Sequence, residues 1–297
     1  MSWILRNASA NLVTVPWMRC RLGIAKPRPF RAEDAPGLSC LIGSPAVDLA
    51  MRLPTDHAAG QGGLRYLGHD FASRAYVRSR NPQVCAICVH SLGFCLAEWD
   101  IAAYTVCCDH GVLMVERCGS CKQLLSWDRL AIDICRCGKY IAGPDTPTHA
   151  NEARGLSTII REVVRCGRMT SADLPLPEWW NLLSLDGALR LVVAMGASRG
   201  GFEAARSSTT YRATVEHWAE FAVRGLRRLC DYEGSREGAK LFLAPQVWEG
   251  GLESIIVRSA HQGDRQVAML LLEQIFGRTV GAKFGSLRGD LSQRKLL

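Results

Sequence analysis

The chain has 297 residues, 48% hydrophobic and 22% charged, and its 36 Lys and Arg against 28 Asp and Glu give a formal charge of +8. That length and apolar content suffice for two modest domains with cores of their own and exclude a wholly disordered chain. The positive balance favours acidic partners such as nucleic acid, and no stretch reaches the roughly 18 apolar residues of a membrane-spanning helix or has the apolar core of a secretion signal, so the reading is a cytoplasmic protein without a membrane partner.

Residues 1–60 form a Pro-rich N-terminal segment in which Pro27, Pro29, Pro36, Pro45 and Pro54 leave only short apolar runs. Partial order at best is expected there, apart from a short helix over residues 45–53. Residues 68–80 should form a short helix or an extended approach to the cysteine-rich region.

Residues 61–143 read as a zinc-binding module. The chain holds 13 Cys, many for a reducing compartment and an odd number for a disulfide framework, which turns the reading to metal. Nine of them lie between Cys85 and Cys137. A tight turn between two ligands aims both at one ion, so each closely spaced pair is half a tetrahedral site. Four half-sites are present: Cys85 with Cys88 (CAIC), Cys107 with His110 (CCDH), Cys118 with Cys121 (CGSC) and Cys135 with Cys137 (CRC). Joining neighbours gives one site of Cys85, Cys88, Cys107 and His110 and another of Cys118, Cys121, Cys135 and Cys137. Interleaved pairing stays open, and Cys108 is an alternative to Cys107, with the CxxH spacing favouring Cys107.

Each set would take one zinc, two per chain, and four protein ligands make a closed, structural site, whereas a catalytic zinc keeps a position for water or substrate. The absence of HxE and HExxH also disfavours a zinc hydrolase or deaminase, so no catalytic residue is assigned. Cys95 and Cys108 read as small buried residues, Cys20, Cys40, Cys166 and Cys230 as isolated thiols, and His90 as a loop histidine. Trp99, Ile101 and Tyr104 should form a small apolar core flanked by the two sites.

After a Gly-Pro-Asp-Thr-Pro linker, residues 150–297 read as an α-helical domain with a basic C-terminal tail. Leu156, Ile159, Ile160, Val163 and Val164 share one helical face. A second segment, starting near Pro177, carries Leu182, Leu185, Leu189, Val192 and Val193. Tyr211, Val215, Trp218, Ala222 and Leu226 make a third stripe, and Val267, Leu270, Leu271 and Ile275 a fourth. The fold class is thus mainly α: a small zinc-binding module of short strands and turns followed by a helical bundle.

Residues 85–140 hold five basic side chains and six acidic ones, and seven thiolates with two zinc ions would lower their charge further, so the metal region is a poor match for phosphate. The basic excess lies at Arg19, Arg21, Lys26, Arg28 and Arg31, at Arg65, Arg74, Arg78 and Arg80, and at Arg278, Lys283, Arg288, Arg294 and Lys295. Arg74, Arg78 and Arg80, which adjoin the metal module, are the candidate nucleic-acid contacts. The first site has eighteen residues between its half-sites and a single histidine, unlike a groove-reading finger, so sequence-specific readout is not expected.

Residues 84–141 resemble the TniQ family of transposition proteins. That family shows CPxCL, a Trp-led hydrophobic stretch, CPxHG, CPxCG and a closing CxCG, and the counterparts here are CAIC, EWDIAAYTV, CCDHG, CGSC and CRCG. The family's prolines are replaced by Ala86, Cys108 and Gly119, and its N-terminal Glu-Ser-Leu and Ser-Trp-Leu are not recognisable in residues 1–60. Proline only stiffens such a turn, so coordination survives the change. The resemblance implies a non-catalytic zinc-binding adaptor that helps select the target site by bridging DNA, directly or through a partner such as an RNA-guided complex, to an AAA+ transposition ATPase and the transposase. It also implies that some members act as homodimers. The alternative reading is a free-standing zinc-containing nucleic-acid-binding regulator.

Overall fold

A computed structural model describes residues 15–24, 30–56, 63–78, 80–129, 131–143, 151–197, 213–233 and 246–277. Among them the chain is mainly helical, with nine α-helices and one small antiparallel sheet. No helix among these residues is long and apolar enough to cross a membrane.

The described part of the proline-rich start, residues 15–24 and 30–56, is more helical than its composition suggests. Helices α1 (Val15–Arg21), α2 (Ala35–Ile42) and α3 (Ala46–Arg52) occupy it, with a 3-10 turn at Ala32–Asp34. The prolines explain why: Pro16 and Pro36 sit in first turns, and Pro45 stands immediately before α3. At such places the missing N–H would have had no intrahelical partner. Met18, Phe30, Leu38, Leu49 and Leu53 bury their side chains in the main core. The expected helix over residues 45–53 is α3.

Strand β1 (Thr55–Asp56) pairs antiparallel with β2 (Leu64–Tyr66), which pairs antiparallel with β3 (His69–Phe71). Leu67 and Gly68 make the β2–β3 turn with φ of 51° and 81°, two left-handed residues that match the twist of a two-residue hairpin. Residues 68–80 therefore enter the metal region as a hairpin strand and a 3-10 turn, Arg74–Tyr76, instead of a helix.

The metal region is built from turns. It has one short helix, α4 (Ala86–Leu92), a 3-10 turn at Ala97–Asp100, and isolated antiparallel bridges such as Val84 with Val115 and Ile134 with Tyr140. Trp99, Ile101 and Tyr104 are buried as expected, and Gln83 fastens this core by donating to the carbonyls of Ile101 and Tyr104 at 3.0 and 2.6 Å.

The Tyr66 hydroxyl donates to Asp100 Oδ2 at 2.9 Å, tying the sheet to this core. Burial pushes Asp100 up to about 6, above the roughly 3.9 of an unfolded aspartate. The folded state therefore holds this proton more tightly, and the stability that results is complete below about pH 4 and is lost as pH rises through about 6. Asp100→Asn mimics the protonated form, so its stability relative to wild type should rise between about pH 5 and 7.5 by on the order of 1–2 kcal/mol. Paired denaturation curves at the two pH values test this, and a constant difference would refute it. Taking the difference cancels the acid sensitivity of the metal ligands.

The C-terminal helices are α5 (Asn151–Cys166), α6 (Leu185–Gly196), α7 (Val215–Glu233), α8 (Glu249–Arg258) and α9 (Gln262–Phe276). Helix α6 packs against α7 and α8, α5 against α7, and α8 against α9. Every residue of α6 is buried, so it is the central element. Gly196 and Gly225 permit the α6–α7 approach: a Cβ on either would fall 2.2 Å from a backbone oxygen of the other helix.

Leu156, Ile159, Ile160 and Val163 line the buried face of α5 as their spacing predicts. The segment expected from Pro177 onward is divided. A 3-10 turn, Glu178–Leu182, ends in exposed Leu182, and α6 starts afresh after Ser184, whose hydroxyl accepts from the Gly187 N–H at 3.0 Å. In the third stripe Val215, Trp218, Ala222 and Leu226 are buried on α7, while Tyr211 lies outside the described residues. In the fourth, Val267, Leu271 and Ile275 are buried and Leu270 is half-buried.

Candidate functional site

The first ligand set is assembled from two turns. Cys85 precedes α4 and Cys88 lies in its first turn, while the Val84–Val115 bridge holds this strand end beside the turn carrying Cys107 and His110. That second turn closes by the Gly111 N–H donating to the Cys107 carbonyl at 2.8 Å, with Gly111 at φ 67°. The second set uses two similar knuckles. The Lys122 N–H donates to the Cys118 carbonyl and the Gly138 N–H to the Cys135 carbonyl, both at 2.9 Å, with Lys122 at φ 60° and Gly138 at φ 79°.

In each set the four ligand atoms lie within 4.8 Å of one another: Cys85, Cys88, Cys107 and His110 in one, Cys118, Cys121, Cys135 and Cys137 in the other. Neighbouring half-sites therefore pair, and the interleaved alternative is not adopted. Cys107, not Cys108, belongs to the first set; the Cys108 sulfur instead accepts from the Tyr104 hydroxyl at 3.2 Å.

The dimensions fit a tetrahedral metal. With metal–sulfur bonds of about 2.3 Å, a tetrahedron has a sulfur–sulfur edge of about 3.75 Å, and a sulfur–nitrogen edge is about 3.5 Å. Cys118 and Cys137 stand 3.8 Å apart, Cys121 and Cys135 3.7 Å, and Cys88 and Cys107 3.6 Å. His110 Nδ1 lies 3.6, 3.1 and 3.5 Å from Cys85, Cys88 and Cys107. All thirteen cysteines are free thiols. The N–H groups of Cys121 and Ser120 hold the Cys118 thiol down at about 6, whereas burial beside Cys107 pushes Cys88 up to about 12. A cation bound among these sulfurs would displace their protons. Each set offers four side-chain donors, the full complement of a tetrahedral site.

Helix α5 grips the turn that supplies Cys107 and His110. The Ser157 hydroxyl accepts from the Val106 N–H at 3.1 Å, Arg154 donates to the Cys108 carbonyl at 2.7 Å, and Arg161 pairs with Asp109 at 2.8 Å. Nothing in the apolar stripe of α5 signals this polar edge. His90 is on α4, not in a loop, and meets Asp133 at 3.5 Å and the Tyr140 ring at 5.7 Å between centroids. Cys95 is buried as expected, Cys20, Cys40 and Cys166 are exposed and Cys230 is half-buried.

The three candidate nucleic-acid contacts do not form one surface. Arg78 is buried and bonds Glu116 at 2.6 Å, also donating to the Ala213 carbonyl at 3.2 Å, so its guanidinium faces the interior. Arg74 pairs with Asp56 at 2.8 Å, and Arg80 is exposed. Arg19 is bonded to Asp128 at 2.7 Å and Arg31 to Asp56 at 2.6 Å. Lys26, Arg28 and the five tail residues from Arg278 to Lys295 lie outside the described residues.

The acids of the metal region are also partnered: Asp100 by Tyr66, Asp109 by Arg161, Glu116 by Arg78, Asp128 by Arg19, Asp133 by His90, and Glu98 by Arg165 at 2.9 Å.

No protein-family model matches the chain, and no curated protein matches it.

Proposed function

We propose that the chain is a zinc-stabilised, non-catalytic adaptor of DNA transposition of the TniQ kind. It would help select the target site by linking target DNA, or an RNA-guided or other target-recognising complex, to an AAA+ ATPase and through it to the transposase. The observation that carries this reading is the run CAIC, CCDHG, CGSC and CRCG, in the family's order, supplying two closed four-ligand sets. Closed sets of this composition suit zinc in a structural role. When bound, the metal supplies cross-linking energy and no open coordination position; Cys85, Cys88, Cys107, His110 and the four cysteines of the second set would hold it. The C-terminal helices, read as a bundle around α6, give such an adaptor a rigid interface, and a homodimer is compatible with it.

The free-standing regulator is the weaker reading, because Arg19, Arg31, Arg74 and Arg78, four of its candidate phosphate contacts, are engaged by carboxylates. Metal analysis of the purified protein should find zinc at about two ions per chain, one for each closed set. A content near zero after purification without chelator would remove the zinc reading. The adaptor role predicts genes for an AAA+ ATPase and a transposase near its own, and it is tested by co-expression with their products, followed by size-exclusion chromatography with duplex DNA. Co-elution with the ATPase is expected. Tight binding of the isolated chain to DNA with no ATPase association would transfer the conclusion to the regulator.

A further inference from the structure

The net charge of the metal region hides how its charges are distributed. Five of its six acids are bonded to a partner side chain, and the sixth, Asp133, stands 3.5 Å from His90. Of its five bases, only Arg129 is turned inward, 4% exposed and stacked over Trp127 at 5.4 Å. The other four, Arg117, Lys122, Arg136 and Lys139, are all exposed. The nearest acid to Arg117 is Glu116 at 4.0 Å, already held by Arg78 at 2.6 Å.

These four belong to a single knuckle pair. Arg117 precedes Cys118, Lys122 follows Cys121, Arg136 stands between Cys135 and Cys137, and Lys139 is two residues beyond Cys137. Because the four sulfurs lie within 4.8 Å of one another, the backbone of every residue one or two positions from them lies near the same ligand set, and the two acids that share this neighbourhood, Glu116 and Asp133, face Arg78 and His90. Arg117 and Lys122 are further joined by the Arg117 Nη1 donating to the Lys122 carbonyl at 3.3 Å. A zinc ion with four thiolates carries a formal charge of about −2, which four cations exceed. Tyr140, 66% exposed, lies in the same neighbourhood, where its backbone bridges to Ile134.

We infer that the exposed rim of the second knuckle pair, formed by Arg117, Lys122, Arg136 and Lys139, is a contact surface for the phosphate backbone of a nucleic-acid duplex. The knuckles fix the backbone beneath these four cations before any ligand arrives, and phosphate neutralisation is the contact that such a surface makes best. Single strands require a run of stacking rings, and this rim offers one, Tyr140, already set against His90. A duplex is therefore the favoured ligand. Such a surface is a property of the chain alone and holds with or without the transposition role.

The test is fluorescence anisotropy of the full-length zinc-loaded protein with a random-sequence DNA duplex and, separately, an RNA duplex, across a salt series. Four phosphate contacts predict a loss of affinity of about 150-fold between about 50 and 200 mM salt. Combining Lys122→Glu, Arg136→Glu and Lys139→Glu should leave about a threefold to fourfold dependence over the same range. The exposed positions should keep zinc content and melting temperature. If the reversed variant folds poorly, Lys122→Gln, Arg136→Gln and Lys139→Gln serve instead, with the same flattening expected. The two duplexes distinguish which source of phosphate is preferred, and binding of either supports the surface. Three results would overturn it: no duplex binding by wild type at low salt, an unchanged salt slope in both triple variants, or tighter binding of a single strand than of either duplex. Arg74→Glu, away from the rim, should leave the slope unchanged; if it alone abolished binding, the contact surface would lie there.

Discussion

Cys107→Ser should lower the zinc content to about one ion per chain and abolish cooperative folding well beyond the first metal set. Structural zinc contributes an apparent free energy on the order of 10–16 kcal/mol in small modules, comparable with the roughly 5–15 kcal/mol that separates a whole domain from its unfolded state. Cys107 is 1% exposed, and its turn is where α5 is fastened through Val106, Cys108 and Asp109. Helix α5 in turn packs on α7, and α7 on α6. Loss of the first metal thus removes the anchor of the helical half. Cys137 is exposed on the outer knuckle, and Cys137→Ser should release the second zinc while leaving α5 protected. Metal analysis and amide hydrogen exchange separate the two outcomes. Full protection of α5 in a Cys107→Ser protein that retains one zinc would show that the first set is a local clip only.

The metal sets are legible in the sequence because zinc ligation is short-range and stereotyped: CxxC, CxxH and CxC spacings describe turns that close on themselves. The core around Trp99 is legible for the same reason, lying between two such turns. Residues 15–24 and 30–56 are more helical than their prolines suggest when these are counted and not placed; Pro16, Pro36 and Pro45 start helices. Helix α8 has no stripe long enough to read, since Gly250 and Gly251 stand where its first apolar turn would be and pack against the Trp248 ring. Charge is the least legible property. Arg78 adjoins the metal module in sequence and looks available, yet its partner Glu116 is 38 residues away. Only tertiary structure shows which acids pair with which bases, and that pairing is the ground for proposing the rim of the second knuckle pair over the approach segment.

A second large effect should come from Asp264→Ala, at a position with no signal in the sequence beyond an acid in the first turn of a helix. Asp264 is fully buried. Its carboxylate accepts from the Ser184 N–H at 2.7 Å, the Ser184 hydroxyl at 2.6 Å and the Ser259 hydroxyl at 2.6 Å. It thereby joins the start of α6, the end of α8 and the start of α9. Alanine leaves three donors without this acceptor in a buried site, and at about 1–3 kcal/mol for each unsatisfied group the loss should be on the order of 3–9 kcal/mol. That is a large share of the stability of a domain, so a much lower denaturation midpoint is expected. Asp264→Asn keeps an acceptor oxygen and should lose less. Space gives an independent check: a Cβ on Gly187 would fall 2.1 Å from the Asp264 carboxyl carbon, so Gly187→Ala must displace the carboxylate and should destabilise the same junction from the other side. Asp231→Ala, at an exposed position on α7, should melt close to wild type. If Asp264→Ala did so as well, the three helix ends would be held by apolar packing alone.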